Sequence, residues 1–485
     1  MSLLAEQIET ARTVNTLGVT GRVRSAAGLT IEAVGLPVPV GALCEVEVGR
    51  GRFLAAEVIG FRPETTLLMP LENAEGLTRG QRIRHVTSRQ KVPVGPALLG
   101  RVVDAMGRAC DGGSPVAADT WYPLHRSAPD AVSRPRIDRP ISVGIRSVNA
   151  LLTIGSGQRM GVFAGTGVGK SVLLGMMARY TSADVAVIAL VGERGREVAD
   201  FIAKDLGREG LKRSVLVVST SDQSPPLRVR AGFVATAIAE YFRDQGADVL
   251  LLMDSVTRMA MAGRQIGLAA GEPPATKGYP PSVFAMLPRL LERSGRTLTG
   301  SVTGLYTVLV EGDDLNEPIS DAVRGILDGH IWLSRRLANR GQYPAVDVLE
   351  SISRVMPDVV SAEQVNAAQR VKRLLSLWAE IEDLVNIGAY AAGSNSEYDT
   401  VIQMRPAVEA FLRQSIEEGV SLEAAQASLW ELMGLLDRTE AAVRQGGRTA
   451  GPVPPRGNRA ESPRPAPRTT LRPPAGVAAR PAAAR

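Results

Sequence analysis

From residue 17 to about residue 92, short runs of valine and leucine alternate with turn residues, as in VTGRVRSAAG, LTIEAVGLPVPVGALCEVEVG, FLAAEVIGFRP and TTLLMPLEN. A period of two broken by glycine and proline predicts a small antiparallel β-barrel or sandwich. A Gly-, Pro- and Arg-rich connection follows, from KVPVGPALLGRVVDAMGRACDGG to RSAPDAVSRPRIDRP. Between about 141 and 360 the pattern changes to continuous apolar runs: RMGVFA (159–164), VAVIALVG (185–192), SVLVVST (214–220), DVLLLMD (248–254) and YTVLVEG (306–312). Such runs, separated by helical stretches, predict a parallel sheet covered by helices on both faces. Beyond Pro357 the period becomes helical, with Val371, Leu374, Leu375, Trp378, Ile381, Leu384 and Val385 on one stripe. The expected division is a terminal segment 1–16, a barrel 17–95, an α/β domain 96–360, a helical domain 361–445 and a tail 446–485.

The tail has nine prolines and no aromatic residue, a composition that cannot build a core. It also explains the net charge of +6: residues 446–485 hold eight arginines against Glu461, while the first 445 hold 48 basic and 49 acidic side chains. Two cysteines, Cys44 and Cys110, are too few for a disulfide framework, which points to a reducing cytoplasm. The start, MSLLAEQIETARTVN, lacks the basic and apolar regions of a signal peptide, and nowhere do 18 apolar residues run together. Any membrane association is therefore expected to be peripheral.

The candidate chemistry centres on AGTGVGKSV, 164–172. It lies after one apolar run and before a helical one, the context in which a glycine-rich turn aims backbone N–H groups and a helix N-terminus at phosphate. Gly165, Thr166, Gly167, Val168, Gly169, Lys170, Ser171 and Val172 form the candidate nucleotide-binding segment. Lys170 is placed for the β- and γ-phosphates and Ser171 for Mg²⁺. The pattern asks for glycine where Ala164 stands, which is tolerable if that residue only ends the strand. Asp254 closes VLLLM and suits a carboxylate holding Mg²⁺ through water, or else a helix cap. Glu193, in GERGRE, is either a water-polarising base or a solvated side chain. His85, His125 and His330 lack ligand spacing, and Asp313 with Asp314 suits a turn better than a catalytic pair.

GQRMGVFAGTGVGKSVLL, VGERGREV, GYPPSVFAMLPRLLERSG, VEGDDLNEPISDAVRGILDGHIWLSR and YPAVDVLESISR together resemble the rotary and export ATPase family. The likeness runs from about 17 to 445 and is strongest to flagellar export ATPases, next to injectisome ATPases, and weaker to the ATP synthase β subunit. It implies a RecA-like P-loop core between an N-terminal barrel and a C-terminal helical domain, hydrolysing Mg·ATP. Alanine is common at the first loop position there, which removes the difficulty at Ala164. The resemblance assigns Glu193 to water activation, Arg194 to the γ-phosphate, Arg354 to an arginine finger from a neighbouring subunit and Tyr343 to the adenine. No equivalent of the family's second adenine-facing phenylalanine is evident.

A site completed by a neighbour implies an oligomer closing into a ring, and the resemblance implies a homohexamer. The family also implies a coiled-coil stalk protein at the segment 266–282 and a stator-like regulator at the first 20 residues. The remaining implied partners are an export gate, exported proteins and chaperones, at the cytoplasmic face of the inner membrane. Two other classes compete. A non-catalytic nucleotide-binding subunit would carry glutamine at Glu193. An RNA translocase would need base-stacking aromatics in the barrel, where residues 1–95 offer only Phe53 and Phe61, so no specific nucleic acid is expected.

Overall fold

The computed structural model describes residues 18–49, 51–310 and 317–446. The segment 1–16, Asp313, Asp314 and the tail beyond Gly446 lie outside the described residues.

Six strands close the N-terminal barrel: β1 (Thr20–Ala27), β2 (Thr30–Val34), β3 (Leu43–Glu47), β4 (Phe53–Arg62), β5 (Thr65–Pro70) and β6 (Arg82–Thr87), in the order β1-β2-β5-β4-β3-β6. Alternate residues point inward, and Val23, Ile31, Cys44, Val46, Leu54, Val58 and Ile83 fill the interior.

The central domain is built on a nine-stranded sheet. Its main strands are β7 (Val102–Asp104), β8 (Arg159–Ala164), β9 (Val185–Glu193), β10 (Ser214–Thr220), β11 (Asp248–Asp254), β12 (Ser301–Leu309), β13 (Gly329–Leu333) and β14 (Val346–Ser353). They lie in the order β14-β13-β8-β12-β11-β9-β10-β7. The run from β13 to β7 is parallel, and β14 returns antiparallel along β13.

β9 is buried throughout, and apolar up to Val191, because the sheet is covered twice. Ile188 and Leu190 pack towards helix α1 (Lys170–Tyr180) with Leu173, Leu174 and Met177. Val187, Ala189 and Val191 pack towards α2 (Pro225–Asp244) with Val234, Ala235 and Ile238. Under α2, Arg293 forms a two-pronged bond to Glu240 at 2.9 and 2.8 Å, and its remaining nitrogen donates to the carbonyl of Leu124. Both side chains are fully buried, so removing one partner leaves an uncompensated charge at a cost of about 3–5 kcal/mol.

The structure amends the expected elements at several places. The strand expected over 306–312 starts at Ser301 and its described part ends at Leu309. β7 is three residues inside a glycine-rich connection, too short for a periodicity, and it gains its partner only by lying beside β10. The segment 266–282 is not all loop, since helix α3 (Val256–Ala270) takes its first five residues and ends on Gly271, whose φ of 94° suits glycine. Beyond the sheet, α4 (Ala362–Asn386), α5 (Ser396–Leu412) and α6 (Leu422–Gly446) form the C-terminal domain, packed on the α1 side of the sheet.

Candidate functional site

Because the strands run parallel, their C-terminal ends share one edge, and the loops leaving β8, β9 and β11 meet there. Ala164 ends β8 with ordinary backbone geometry. Of the three loop glycines, Gly167 (φ 78°) and Gly169 (φ 89°) take the left-handed conformation, whereas Gly165 is buried without it. The requirement for glycine therefore lies at the second and third of these positions. Thr166 and Gly167 are exposed, Val168 is buried beneath them, and α1 begins at Lys170 with its first N–H groups free of intrahelical partners.

Lys170 Nζ forms an ion pair with Asp254 Oδ1 and lies 3.6 Å from Glu193 Oε1. Asp254 is buried and accepts a 2.7 Å hydrogen bond from Thr307 Oγ1 on the adjacent β12. Glu193, also buried, pairs with Arg258 at 3.2 Å, and Arg258 donates to the carbonyl of Gly192 as well. Burial, reinforced by the charge of Asp254 and a hydrogen bond to Glu197, pushes the Glu193 carboxyl up to about 7, against the pull of Lys170 and Arg258. The same shared hydrogen bond holds Glu197 below its ordinary range. Glu193 Oε1 is buried with no hydrogen-bond partner, Lys170 Nζ at 3.6 Å being its ion-pair neighbour.

The other half of the site is apolar. A cavity of about 330 Å³ lies beside the loop, between Val172 and Met176 of α1, Leu333 and Pro344, and Tyr343 facing Ile416. The Tyr343 ring lies over Gly169, where an added Cβ would stand 3.5 Å from it. Ile416, on the loop after α5, occupies the wall for which the sequence offered no aromatic. That loop is tied to the core from several sides. Gln414 N donates to Tyr343 O, its Nε2 to Gly144 O and Glu418 O, and its Oε1 accepts from Arg146 N. Arg179 and Tyr180 both donate to the carbonyl of Ile416.

Two expected residues are not drawn in. The Arg194 side chain is 77% exposed and pairs with Glu197 at 3.1 Å. Arg354 lies at the opposite edge of the sheet, its N–H donating to Asp328 O beside the start of β13, roughly 15 Å of strand length from the loop. Ser171 is exposed in the first turn of α1. The reading from sequence missed Thr307, Arg258, Glu197, Gln414 and Ile416. Arg258 and Glu197 stand near predicted site residues in the chain, but Thr307 sits inside a buried strand and only strand adjacency reveals it. The histidines serve packing and local bonds: His85 to Ser88, His125 against Phe233, His330 to Glu350 O.

A phosphate-cradling loop at the C-terminal edge of a parallel sheet, flanked by a barrel and a helical domain, defines an ATP hydrolase of the P-loop class. Three family models match in register: the ATP synthase alpha/beta family β-barrel domain over 23–86, its nucleotide-binding domain over 144–353, and the T3SS EscN ATPase C-terminal domain over 360–431. The chain is 52% identical to the flagellum-specific ATP synthase of Bacillus subtilis (strain 168) over 422 residues, 85% of this chain and 95% of that one. It is 51% identical to the type 3 secretion system ATPase of Xanthomonas euvesicatoria, covering 82% and 90%. The assembled ATPase EscN of enteropathogenic E. coli superposes with a TM-score of 0.80 at 44% identity, covering 85% of this chain and 99% of EscN. The chain belongs to the type III export ATPases, the flagellar and secretion-system branch of the ATP synthase alpha/beta family.

Proposed function

We propose that the chain is the ATPase of a flagellar protein-export apparatus, working as a homohexamer with sites completed between subunits. The observation that carries the assembly is the placement of Arg354 on the edge of the sheet remote from Lys170. Within one chain it cannot reach its own nucleotide, but at a neighbour's interface it faces that neighbour's site. EscN has been seen assembled, and in complex with its central stalk EscO, at TM-scores of 0.80 and 0.79 to this chain. By the same likeness the segment 266–282 meets a coiled-coil stalk, and residues 1–16 meet a stator-like regulator. The export gate, exported proteins and chaperones complete the partners, at the cytoplasmic face of the inner membrane. Among the described residues no helix is long and apolar enough to cross a membrane. An injectisome role is the competing reading, since secretion-system relatives match at 51%.

Oxygen donors suit Mg²⁺ here: the Asp254 carboxylate and the Ser171 hydroxyl, with Glu193 Oε1 buried beside Lys170 and free of any hydrogen bond. Ser171 and, through water, Asp254 would hold the ion, whose charge would neutralise the phosphate oxygens when bound. The loop N–H groups and Lys170 orient the β- and γ-phosphates. Glu193, kept from solvent, positions the attacking water and draws its proton as the γ-phosphate leaves. Arg258 and Glu197 set the orientation and proton affinity of that carboxyl. Tyr343 and Ile416 hold the base. Arg354 of the neighbour stabilises charge on the transferring group, and Arg194 reaches the γ-phosphate once a nucleotide draws it inward.

The test mixes two inactive variants, Glu193→Gln and Arg354→Ala. In a ring, some interfaces then pair an intact Glu193 with an intact Arg354, so activity returns on mixing and specific activity rises with protein concentration. No recovery, or an Arg354→Ala variant as active as the parent, would overturn sites shared between subunits.

A further inference from the structure

Charge is divided unevenly along this chain. Residues 1–360 carry 41 basic and 36 acidic side chains, residues 361–446 carry seven basic and thirteen acidic, and residues 447–485 carry eight arginines against one glutamate. The helical domain is thus the acidic unit of an otherwise basic protein, with a net charge of −6, and the segment attached directly to it carries +7. The family models that match this chain end at residue 431, and its relatives match 82–87% of it against 90–97% of themselves.

The last helix, α6, has two distinct faces. Ala425, Leu429, Leu432, Met433 and Leu436 are buried against the rest of the domain. The opposite face presents Trp430, 40% exposed, with Ala427 one turn and Glu423 two turns before it, Glu431 beside it, and the Arg438 guanidinium over Gly434 one turn after it. Among the described residues Glu423 and Glu431 enter no ion pair. An exposed indole bordered by carboxylates over small residues suits proline rings and guanidinium groups. Proline packs on the aromatic face, arginine stacks on the indole, and its charge is neutralised at the rim. The nine prolines and eight arginines beyond Gly446 carry that chemistry, six of the prolines and four of the arginines in PVPPRGNR and SPRPAPR.

Reach permits it. Trp430 lies sixteen residues before Gly446, about 24 Å along the helix at ~1.5 Å per residue, and ten residues of extended chain span up to about 33 Å. Arg456 and all that follows can therefore return to Trp430. Tethering raises the local concentration to the order of millimolar, so that weak contacts suffice.

We propose that the segment 447–485 docks on the Trp430 face of α6, on its own subunit or the next one, and occupies that face as a tethered proline- and arginine-rich ligand. A fluorescent peptide spanning 447–485 tests this by anisotropy. It is titrated with the full chain and with the chain ending at Gly446, which keeps every domain matched in the relatives. The shortened chain is expected to bind the peptide at least tenfold more tightly than the full chain, whose own segment competes, and the affinity is expected to fall as salt rises. Trp430→Ala and, separately, the pair Glu423→Lys with Glu431→Lys should each weaken binding at least tenfold, with ATP hydrolysis retained as the check on folding. Equal affinity for the shortened chain and both variants would overturn the proposal. So would a peptide that ignores the protein but binds phosphatidylglycerol vesicles or single-stranded nucleic acid.

Discussion

The two halves of the nucleotide site are built on opposite physical principles. At the phosphate end Lys170, Asp254, Glu193 and Thr307 are packed into a buried network in which each charge faces another. At the base end Tyr343, 47% exposed, faces Ile416, 44% exposed, across a cavity whose one polar side chain from the helical domain, Gln414, spends its amide on backbone partners. The first half is rigid because separating buried charges is costly. The second grips by shape and apolar contact. On the proposed function, the difference teaches that chemistry depends on a preorganised electrostatic cluster, whereas affinity for the base depends on a slot shared by two domains and closed by tied-down loop residues.

The largest predicted effect separates the halves. Glu193→Gln should lower kcat by about 10²–10⁴-fold with little change in nucleotide affinity, measured by steady-state hydrolysis beside equilibrium binding. If affinity fell and kcat survived, Glu193 would be a binding residue and the contrast would fail. Tyr343→Ala should do the reverse, raising KM by roughly tenfold with kcat preserved, as expected for loss of about 1–3 kcal/mol of stacking.

The pH profile sharpens the same contrast. With the Glu193 carboxyl raised to about 7, the free protein has it protonated at lower pH and unable to accept a proton. Plotted against pH, kcat/KM should therefore rise to a plateau above about 7 and fall about tenfold per unit below it. Glu193→Gln, by contrast, should be flat through that range. For folding the sign is opposite. The native state holds a proton that the unfolded chain releases, so this contribution to stability is complete below the ordinary carboxyl range and lost as pH rises through about 7. The smallest effect is Thr307→Val, which removes one hydrogen bond to Asp254 and should lower kcat/KM by a few-fold, about 1 kcal/mol. A loss as large as that of Glu193→Gln would mean that the cluster is held chiefly from β12.

Much of the phosphate end was legible in the chain itself, because its residues follow strands in a spacing that backbone geometry imposes. A loop of glycines needs two left-handed residues, Gly167 and Gly169, and a carboxylate after an apolar strand must emerge at the C-terminal edge. Thr307 was not legible, since a threonine in SVTGLYTVL looks like any other strand residue until β12 lies between β8 and β11. The base slot was hidden for another reason. Ile416 and Tyr343 are 73 positions apart, in different domains, and an isoleucine in a loop has no signature of contact with a ring. Short strands such as β7 escaped because three residues carry no period.

By itself the sequence determined the division into barrel, parallel sheet and helices, through hydrophobic periods of two, none and three to four, and it determined the phosphate loop with its lysine and carboxylates. Tertiary structure decided which strands are neighbours, hence that Asp254 is braced by Thr307 and that Glu193 is buried enough to bind a proton more tightly. It also decided that Ile416 lines the cavity beside Tyr343 and that Arg354 lies at the sheet edge opposite its own loop. These are consequences of non-local packing, where residues far apart in the chain share one dielectric environment, and no local period encodes that.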